Sequence, residues 1–170
     1  MRYSKITTYD INNGLGFRVS VFFQGCPFRC NGCFNPETWD INGGFEYTEE
    51  TRDQILDLCN SNHIAGLSIL GGEPFIKENL EGLLDLVKIF KEKYPDKNIW
   101  IWTGYKLQDL IDFSDLTRNI LSYLDYLVDG QFILSEKDLK LLFRGSSNQT
   151  IWENKDNIWT ISELNNKHGS

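Results

Sequence analysis

Short apolar runs and amphipathic stretches alternate along the chain. The apolar runs have the length of strands that are buried on both faces of a sheet. The stretches between them carry apolar residues at helical spacing, most clearly Leu80, Leu83, Leu84 and Val87 at i, i+3, i+4 and i+7. The pattern predicts strands at Phe17–Phe23, 64–70, Asn98–Trp102, 126–130 and 157–161. It predicts helices that begin at Thr48, cover 77–93, and lie within 106–123.

The first predicted helix has a clear start signal. Thr48 is a good N-cap residue, and Glu49 and Glu50 follow it, where acidic side chains interact favourably with the helix dipole. Ile55 and Cys59 then lie four residues apart on the apolar face of this helix. We therefore expect Cys59 to be a small, buried core residue.

Strand, loop and helix follow one another without a linker, a repeat or a low-complexity run. The sequence predicts a single α/β domain over residues 1–170, with a disordered tail at 163–170. Strands that are joined through helices run parallel, with right-handed crossovers. A closed barrel of eight such units needs about 250 residues. We therefore expect a partial, open β/α barrel of mainly parallel strands, with its functional rim at the loops that follow the strands.

The composition indicates a globular protein of the cytoplasm, with 41% hydrophobic and 14% aromatic residues. The formal charge of −7, without any block of Lys or Arg, makes nucleic acid an unsuitable partner. No run approaches the roughly 20 apolar residues of a membrane span, and the N-terminus MRYSKITTYD lacks the apolar region of a signal peptide. Cytoplasmic thiols stay reduced, so clustered cysteines indicate metal binding or catalysis before disulfides.

Three of the four cysteines, Cys26, Cys30 and Cys33, form C-x3-C-x2-C in the loop after the first predicted strand. A structural zinc site needs four ligands, which this chain does not offer at a matching spacing. A redox pair of Cys30 and Cys33 would leave Cys26 unexplained. An iron–sulfur cubane with three cysteine ligands keeps one iron open for a substrate, and this interpretation is favoured. Gly25 and Gly32 would let the backbone approach such a cluster and donate N–H groups to its sulfurs.

The segment GCPFRCNGCFNPETW resembles the cluster loop of the radical S-adenosylmethionine (radical SAM) superfamily. In that superfamily an aromatic residue usually precedes the third cysteine, whereas here Gly32 precedes it and Phe34 follows it. In this respect the loop, at 25–34, is more similar to the activating proteins of anaerobic (class III) ribonucleotide reductases. The resemblance implies a partial barrel of the radical SAM type, a 4Fe-4S cluster on the three cysteines, and S-adenosylmethionine bound beside Phe34.

Three further polar segments follow predicted strands. GGEP, at 71–74, is on its own a tight turn whose glycines permit close backbone approach and whose glutamate can accept from a cation. It also resembles the radical SAM segment that binds the methionine ammonium, which implies contacts from Gly71, Gly72 and Glu73. WTGY and VDG supply Thr103 and Asp129, which the resemblance places near the methionine carboxylate, with a monovalent cation in some family members.

The polar segment FRGSSNQ, at 143–149, has the composition of a surface loop. It is similar to a segment of the reductase activators, and the resemblance implies that Arg144 and Asn148 meet cofactor or partner. The implied activity is reductive cleavage of S-adenosylmethionine to methionine and a 5'-deoxyadenosyl radical. That radical would generate a glycyl radical on the large subunit of an anaerobic ribonucleoside-triphosphate reductase. Reduced flavodoxin or ferredoxin is the expected electron donor.

Three alternatives remain open at this point. The chain could be an activator of the pyruvate formate-lyase type, or a short radical SAM enzyme of the deazaguanine-synthase type that acts on a small molecule. From a different class, it could be a zinc-stabilised binding module without turnover. Metal analysis of anaerobically prepared protein would separate the last from the enzymes.

Overall fold

The computed structural model describes residues 1–168, in which eight strands form one sheet in the order β3-β1-β2-β4-β5-β6-β7-β8. The strands are β1 (Arg2–Asp10), β2 (Phe17–Phe23), β3 (Phe45–Glu46), β4 (Ile64–Gly71), β5 (Asn98–Trp102), β6 (Tyr126–Asp129), β7 (Thr150–Lys155) and β8 (Ile158–Ile161). The helices are α1 (Glu49–Leu58), α2 (Leu80–Lys93), α3 (Leu107–Phe113) and α4 (Asp115–Ser122). None of these helices is long and apolar enough to cross a membrane.

Most of the predicted elements are present. Thr48 caps α1: its side chain accepts from the Thr51 N–H, and the Thr51 side chain accepts from the Thr48 N–H. The predicted helical region at 106–123 consists of two helices, because Ser114 adopts an extended conformation between them and caps α4. Within the tail expected at 163–170, Glu163–Asn166 is a 3-10 helix with Leu164 buried. Residues 169 and 170 lie outside the described residues.

The strand pairing differs from the prediction. The central strands β2, β4, β5 and β6 are parallel neighbours. The outer pairs β1–β2, β1–β3, β6–β7 and β7–β8 are antiparallel, so most pairings in the described chain are antiparallel and the sheet is open. The expected partial β/α barrel of the radical SAM type, with mainly parallel strands, is therefore wrong.

The error has a physical cause in the outer strands. β1 (RYSKITTYD) and β7 (TIWENK) carry polar residues throughout, so neither stands out as an apolar run. A short loop joins β1 to β2, and another joins β7 to β8; strands connected in that way pair antiparallel. A chain that adds hairpins at both edges of a parallel centre makes a mixed sheet.

All four helices pack against one face of the sheet. Alternate side chains of β2, such as Val19 and Val21, join the main core together with helix residues and Cys59, whose predicted burial is confirmed. On the other face, Trp100 and Trp102 stack with ring centroids 5.5 Å apart, because residues two apart on a strand share one face. This second face has no α-helix over it in the described residues; the 3-10 helix at Glu163–Asn166 packs there through Leu164. It also carries the cavity described below.

Arg18 closes one end of the sheet face that carries Trp100. Its guanidinium is fully buried and donates to the Ser68 hydroxyl at 2.6 Å and to the Leu67 and Asn98 carbonyls. Burial lowers the pKa of Arg18 to about 10. The side chain ties β2, β4 and β5 together at their amino ends, opposite the end at which the cysteine loop begins.

Candidate functional site

A cavity of about 620 Å³ opens at the carboxyl ends of the central strands, on the face without α-helices. The loop after β2 contributes the three cysteines, and the loop after β4 contributes the GGEP segment. All the sequence-predicted site residues except Asp129 and Asn148 line this cavity: Cys26, Cys30, Cys33, Phe34, Gly71, Gly72, Glu73, Thr103 and Arg144. The residues come together because parallel strands end at the same edge of a sheet.

The cysteine loop is fixed at its base and exposed at its tip. The Gly25 N–H donates to the Thr38 carbonyl at 2.8 Å, and the Cys26 N–H donates to the Trp39 carbonyl at 3.2 Å. The three thiols are unbridged and partly buried. Burial raises the pKa of the Cys26 and Cys30 thiols, so a bound metal would have to displace their protons.

The three thiols share a wall but do not converge. Among residues 1–168, no group of three or more His, Cys, Asp or Glu side chains surrounds a point where one metal ion could sit. A structural zinc site requires four ligands around one ion. A cubane instead bonds each cysteine to a different iron atom. Three free thiols on one cavity wall match the donor set of a 4Fe-4S cluster that keeps one iron open.

Aromatic contacts hold the cysteine loop in place. The Phe28 ring packs edge-on to Tyr105 with centroids 4.9 Å apart, and a Cβ at Gly104 would lie 2.5 Å from the Phe28 ring. The absence of a side chain at Gly104 therefore makes room for the cysteine loop. Farther along, the exposed Phe34 ring contacts Phe132 with centroids 5.0 Å apart.

The structure explains why positions 25 and 32 are glycines, which the sequence pattern did not show. Both have positive φ angles, of +95° and +77°. An added Cβ would lie 2.7 Å from Ile76 at Gly25, and 2.8 Å from Leu134 at Gly32. Packing and backbone conformation thus account for these glycines, and their N–H bonds to a cluster stay a prediction.

The GGEP loop runs directly against the base of the cysteine loop. The Gly72 N–H donates to the Phe23 carbonyl at 2.9 Å, and the Glu73 N–H donates to the Gly25 carbonyl at 2.7 Å. A Cβ at Gly72 would lie 2.5 Å from the Gly25 carbonyl oxygen and 2.8 Å from that of Thr38. The glycines thus permit a close approach to the backbone of the cysteine loop, and their implied contacts with a methionine ammonium stay a prediction.

Glu73 connects three loops from a fully buried position. Its carboxylate accepts from the Phe75 N–H at 2.8 Å, the Gly104 N–H at 2.7 Å and the Thr103 hydroxyl at 2.9 Å. Burial raises the pKa of Glu73 to about 7, against the opposing effect of these hydrogen bonds. The carboxylate therefore accepts most of its hydrogen bonds from groups of this chain. The implied contact of Glu73 with a methionine ammonium stays a prediction.

Asp129 lies behind the cavity rather than on its wall. Its Oδ2 accepts from the Leu107 N–H at 2.8 Å, at the first residue of α3. Its Oδ1 is buried and has no hydrogen-bond partner among the described residues. The structure thus does not bring Asp129 into the cavity with Thr103, and the implied role of these two residues toward a carboxylate or a monovalent cation stays a prediction.

Two basic side chains line the cavity. Arg144 donates to the carbonyls of Gln149 at 3.0 Å and Asn165 at 2.8 Å, and burial lowers its pKa. Lys5 lies on β1 with its Nζ 4.5 Å from the Phe22 ring centroid. Neither forms a salt bridge in the part of the chain that the structure describes. Sequence reasoning missed Lys5 because it missed β1, where mixed polar and apolar residues were the available signal.

Comparison with known proteins agrees with this geometry. A family model described as a 4Fe-4S single cluster domain matches residues 12–152. The chain is 38% identical over 161 residues to an anaerobic ribonucleoside-triphosphate reductase-activating protein of Enterobacteria phage T4, covering 94% of this chain and 98% of that protein. It is 42% identical to the protein of the same name from Vibrio cholerae and 39% identical to that from Escherichia coli K12, covering 89% of this chain and 97% of each relative. The chain therefore belongs to the 4Fe-4S single cluster domain family and to the family of the anaerobic ribonucleoside-triphosphate reductase-activating proteins.

Proposed function

We propose that this protein is an activating enzyme that generates a glycyl radical on an anaerobic ribonucleoside-triphosphate reductase. One observation carries the proposal: the three cysteines line one cavity together with the GGEP loop and Arg144. The relatives are named as activating proteins of that reductase, which supports the choice of partner. Reduced flavodoxin or ferredoxin is the proposed electron donor.

Cys26, Cys30 and Cys33 are the proposed ligands of the 4Fe-4S cluster. When bound, this group supplies the electron that cleaves S-adenosylmethionine to methionine and a 5'-deoxyadenosyl radical, which takes a hydrogen atom from a glycine Cα of the reductase. The protein's task is to orient the cofactors and to restrict other reactions. The loop contacts of Glu73 and Phe28 serve the first requirement, because they fix three loops of the cavity wall to one another.

The basic residues are the proposed contacts of the methionine carboxylate. The Nε of Arg144 is buried and has no hydrogen-bond partner among the described residues. Its two Nη atoms donate to neutral backbone carbonyls. Lys5 adds a second positive charge on the wall of a cavity within an acidic protein. Both charges would favour an anionic group in the cavity. Asp129 is proposed to act indirectly, through the start of α3.

The exposed side of the cavity is the proposed entry for the reductase. A glycine Cα must come into contact with the 5'-carbon, so the loop that carries it has to enter the mouth. Phe34 and Leu139 line the cavity and are exposed, at 54% and 80% of their surface. Such apolar side chains can pack against an entering segment, and the Phe34 ring is also the proposed neighbour of the adenine.

Anaerobic reconstitution tests the proposal. Protein loaded with iron and sulfide is given a reductant and S-adenosylmethionine, with and without the reductase, and 5'-deoxyadenosine is measured together with the glycyl radical signal in electron paramagnetic resonance. We expect cleavage that depends on the cluster and a radical that appears only with the reductase. A protein that binds zinc but forms no cluster, or that cleaves nothing, would overturn the proposal.

A further inference from the structure

Asn79 stands at the junction between a 3-10 helix (Lys77–Asn79) and α2, and its side chain does not cap the helix. Asparagine at this boundary commonly accepts from the N–H groups of the first helical turn. Here the side-chain amide is directed to two loops instead. The residue is 1% exposed, so the direction of its amide is determined by contacts within the protein.

The Asn79 amide bridges the two loops that form the core of the proposed site. Its Nδ2 donates to the Gln24 carbonyl at 3.2 Å and to the Glu73 carbonyl at 3.3 Å. Gln24 lies two residues before Cys26, and Glu73 belongs to the GGEP loop. Neither carbonyl is part of a strand, since β2 ends at Phe23 and β4 ends at Gly71.

Gln24 extends this connection to the far end of the cysteine loop. Its side chain is 1% exposed and donates from Nε2 to the carbonyls of Asp40 at 2.8 Å and Glu37 at 3.2 Å. The backbone on either side of the three cysteines is therefore tied to Gln24, and Gln24 is tied to the GGEP loop through Asn79. A change at Asn79 would act on both loops together.

We propose that Asn79 is a positioning residue that fixes the cysteine loop relative to the GGEP loop, and so sets how S-adenosylmethionine is held beside the cluster. This inference rests on the proposed function for its consequence, but its geometric part can be tested without any cofactor. Asn79 does not itself line the cavity, and it acts through its hydrogen bonds to Gln24 and Glu73.

The first experiment measures amide hydrogen exchange in the apoprotein with reduced thiols. Asn79→Asp keeps the shape of the side chain but places a carboxylate oxygen against two carbonyl oxygens, and Asn79→Ala removes the contact. We expect protection of the Cys26 and Glu73 amides to fall about tenfold or more in both variants, while the amides of β4 and β5 keep theirs.

Asn154→Ala is the matched control. Its Nδ2 also donates to two backbone carbonyls, those of Leu124 at 2.8 Å and Leu121 at 3.4 Å, at a place that does not line the cavity. We expect it to lower general stability without any selective change at Cys26 and Glu73. Unchanged exchange at these two amides in both Asn79 variants would overturn the proposed positioning, whatever the cofactor chemistry.

The second experiment uses reconstituted protein. We expect the Asn79 variants to bind normal iron, to show a weakened change in the cluster's electron paramagnetic resonance signal when S-adenosylmethionine is added, and to need about tenfold more S-adenosylmethionine for half-maximal cleavage. A variant with altered amide exchange but a normal response of the cluster signal to S-adenosylmethionine would show that Asn79 serves only the fold. That result would overturn the inference. Failure of the proposed function is a separate result, because it would appear in the wild-type protein as no cleavage at all.

Discussion

The Thr103 hydroxyl lies 2.9 Å from both carboxylate oxygens of Glu73, although the two residues follow different strands. The Gly104 N–H donates to the same carboxylate at 2.7 Å. A fully buried acidic side chain is thus the link between the loop after β4 and the loop after β5. Its protonation should be visible in the stability of the protein.

Glu73→Gln should flatten the pH dependence of unfolding. Burial raises the pKa of Glu73 from its ordinary value of 4.5 to about 7, so the folded protein binds this proton more tightly than the unfolded chain. The stabilisation is fully present below pH 4.5 and is lost as pH rises through 7. Its full size is about 3 kcal/mol at about 1.4 kcal/mol per pKa unit. Urea unfolding of reduced apoprotein from pH 5 upward measures it, and equal slopes in wild type and variant would contradict the assignment.

Gly104→Ala should weaken cluster binding without unfolding the protein. A Cβ there would lie 2.5 Å from the Phe28 ring, so the cysteine loop would have to move. Iron content after reconstitution measures the effect, and we expect a clear loss while the circular dichroism spectrum is retained. Gly82→Ala is the control, because its Cβ would meet only the flexible end of Met1 and alanine favours a helix by about 1 kcal/mol. Full iron content in Gly104→Ala would show that the contact is dispensable.

Cys30→Ala should abolish cluster assembly, and Cys59→Ala should leave it intact. Cys30 lines the cavity, whereas Cys59 is fully buried in the core beneath the helices. Removing the Cys59 sulfur should lower the free energy of unfolding by about 1 kcal/mol or somewhat more. Iron and sulfide analysis of both variants, with denaturation curves, separates the two roles. A cluster with normal properties in Cys30→Ala would remove this residue from the ligand set.

The centre of the fold could be predicted from the sequence because its signals are local. β2 and β5 have the predicted bounds, since each is a short segment rich in aromatic and β-branched residues that ends at a polar turn. The cysteines, GGEP and Arg144 meet in one cavity because the order of parallel strands brings their carboxyl ends together. The spacing of the cysteines indicated a cluster before any geometry was known.

The edges and the connections between loops could not be predicted in this way. β1 exposes a mixture of polar and apolar side chains, and its place in the sheet depends on pairing with β2 and β3. Glu73 and Thr103 are 30 residues apart, and the Asn79 amide reaches Gln24 across 55 residues. Such contacts exist only after the chain has folded, so a pattern that is read along the sequence does not contain them.

The segment that follows Arg144 is more structured than a polar surface loop. Ser146 is fully buried, and its Oγ accepts from the Ile133 N–H at 3.2 Å. The Gln149 side chain accepts from the Gly145 N–H at 2.8 Å and donates to the Gly130 carbonyl at 2.9 Å. Scrambling the whole segment would therefore disturb the fold, and a test of partner contact has to use its remaining residues.

Asn148→Ala should impair glycyl radical formation on the reductase more than it impairs cleavage of S-adenosylmethionine. The Asn148 Nδ2 donates to the Gln131 carbonyl at 2.7 Å, and its Oδ1 is buried and has no partner among the described residues. A reductase loop that enters the mouth would meet the Gln131 backbone, which lines the cavity and which this amide holds in place. The loss of one such bond should weaken the productive complex by about 1 kcal/mol.

The exposed neighbour Ser147, whose Oγ donates to Glu136, is the matched control as Ser147→Ala. The measurement is the count of glycyl radicals beside the yield of 5'-deoxyadenosine. Equal losses of both in Asn148→Ala would assign the residue to the cofactor, and unchanged values would assign it to the fold alone.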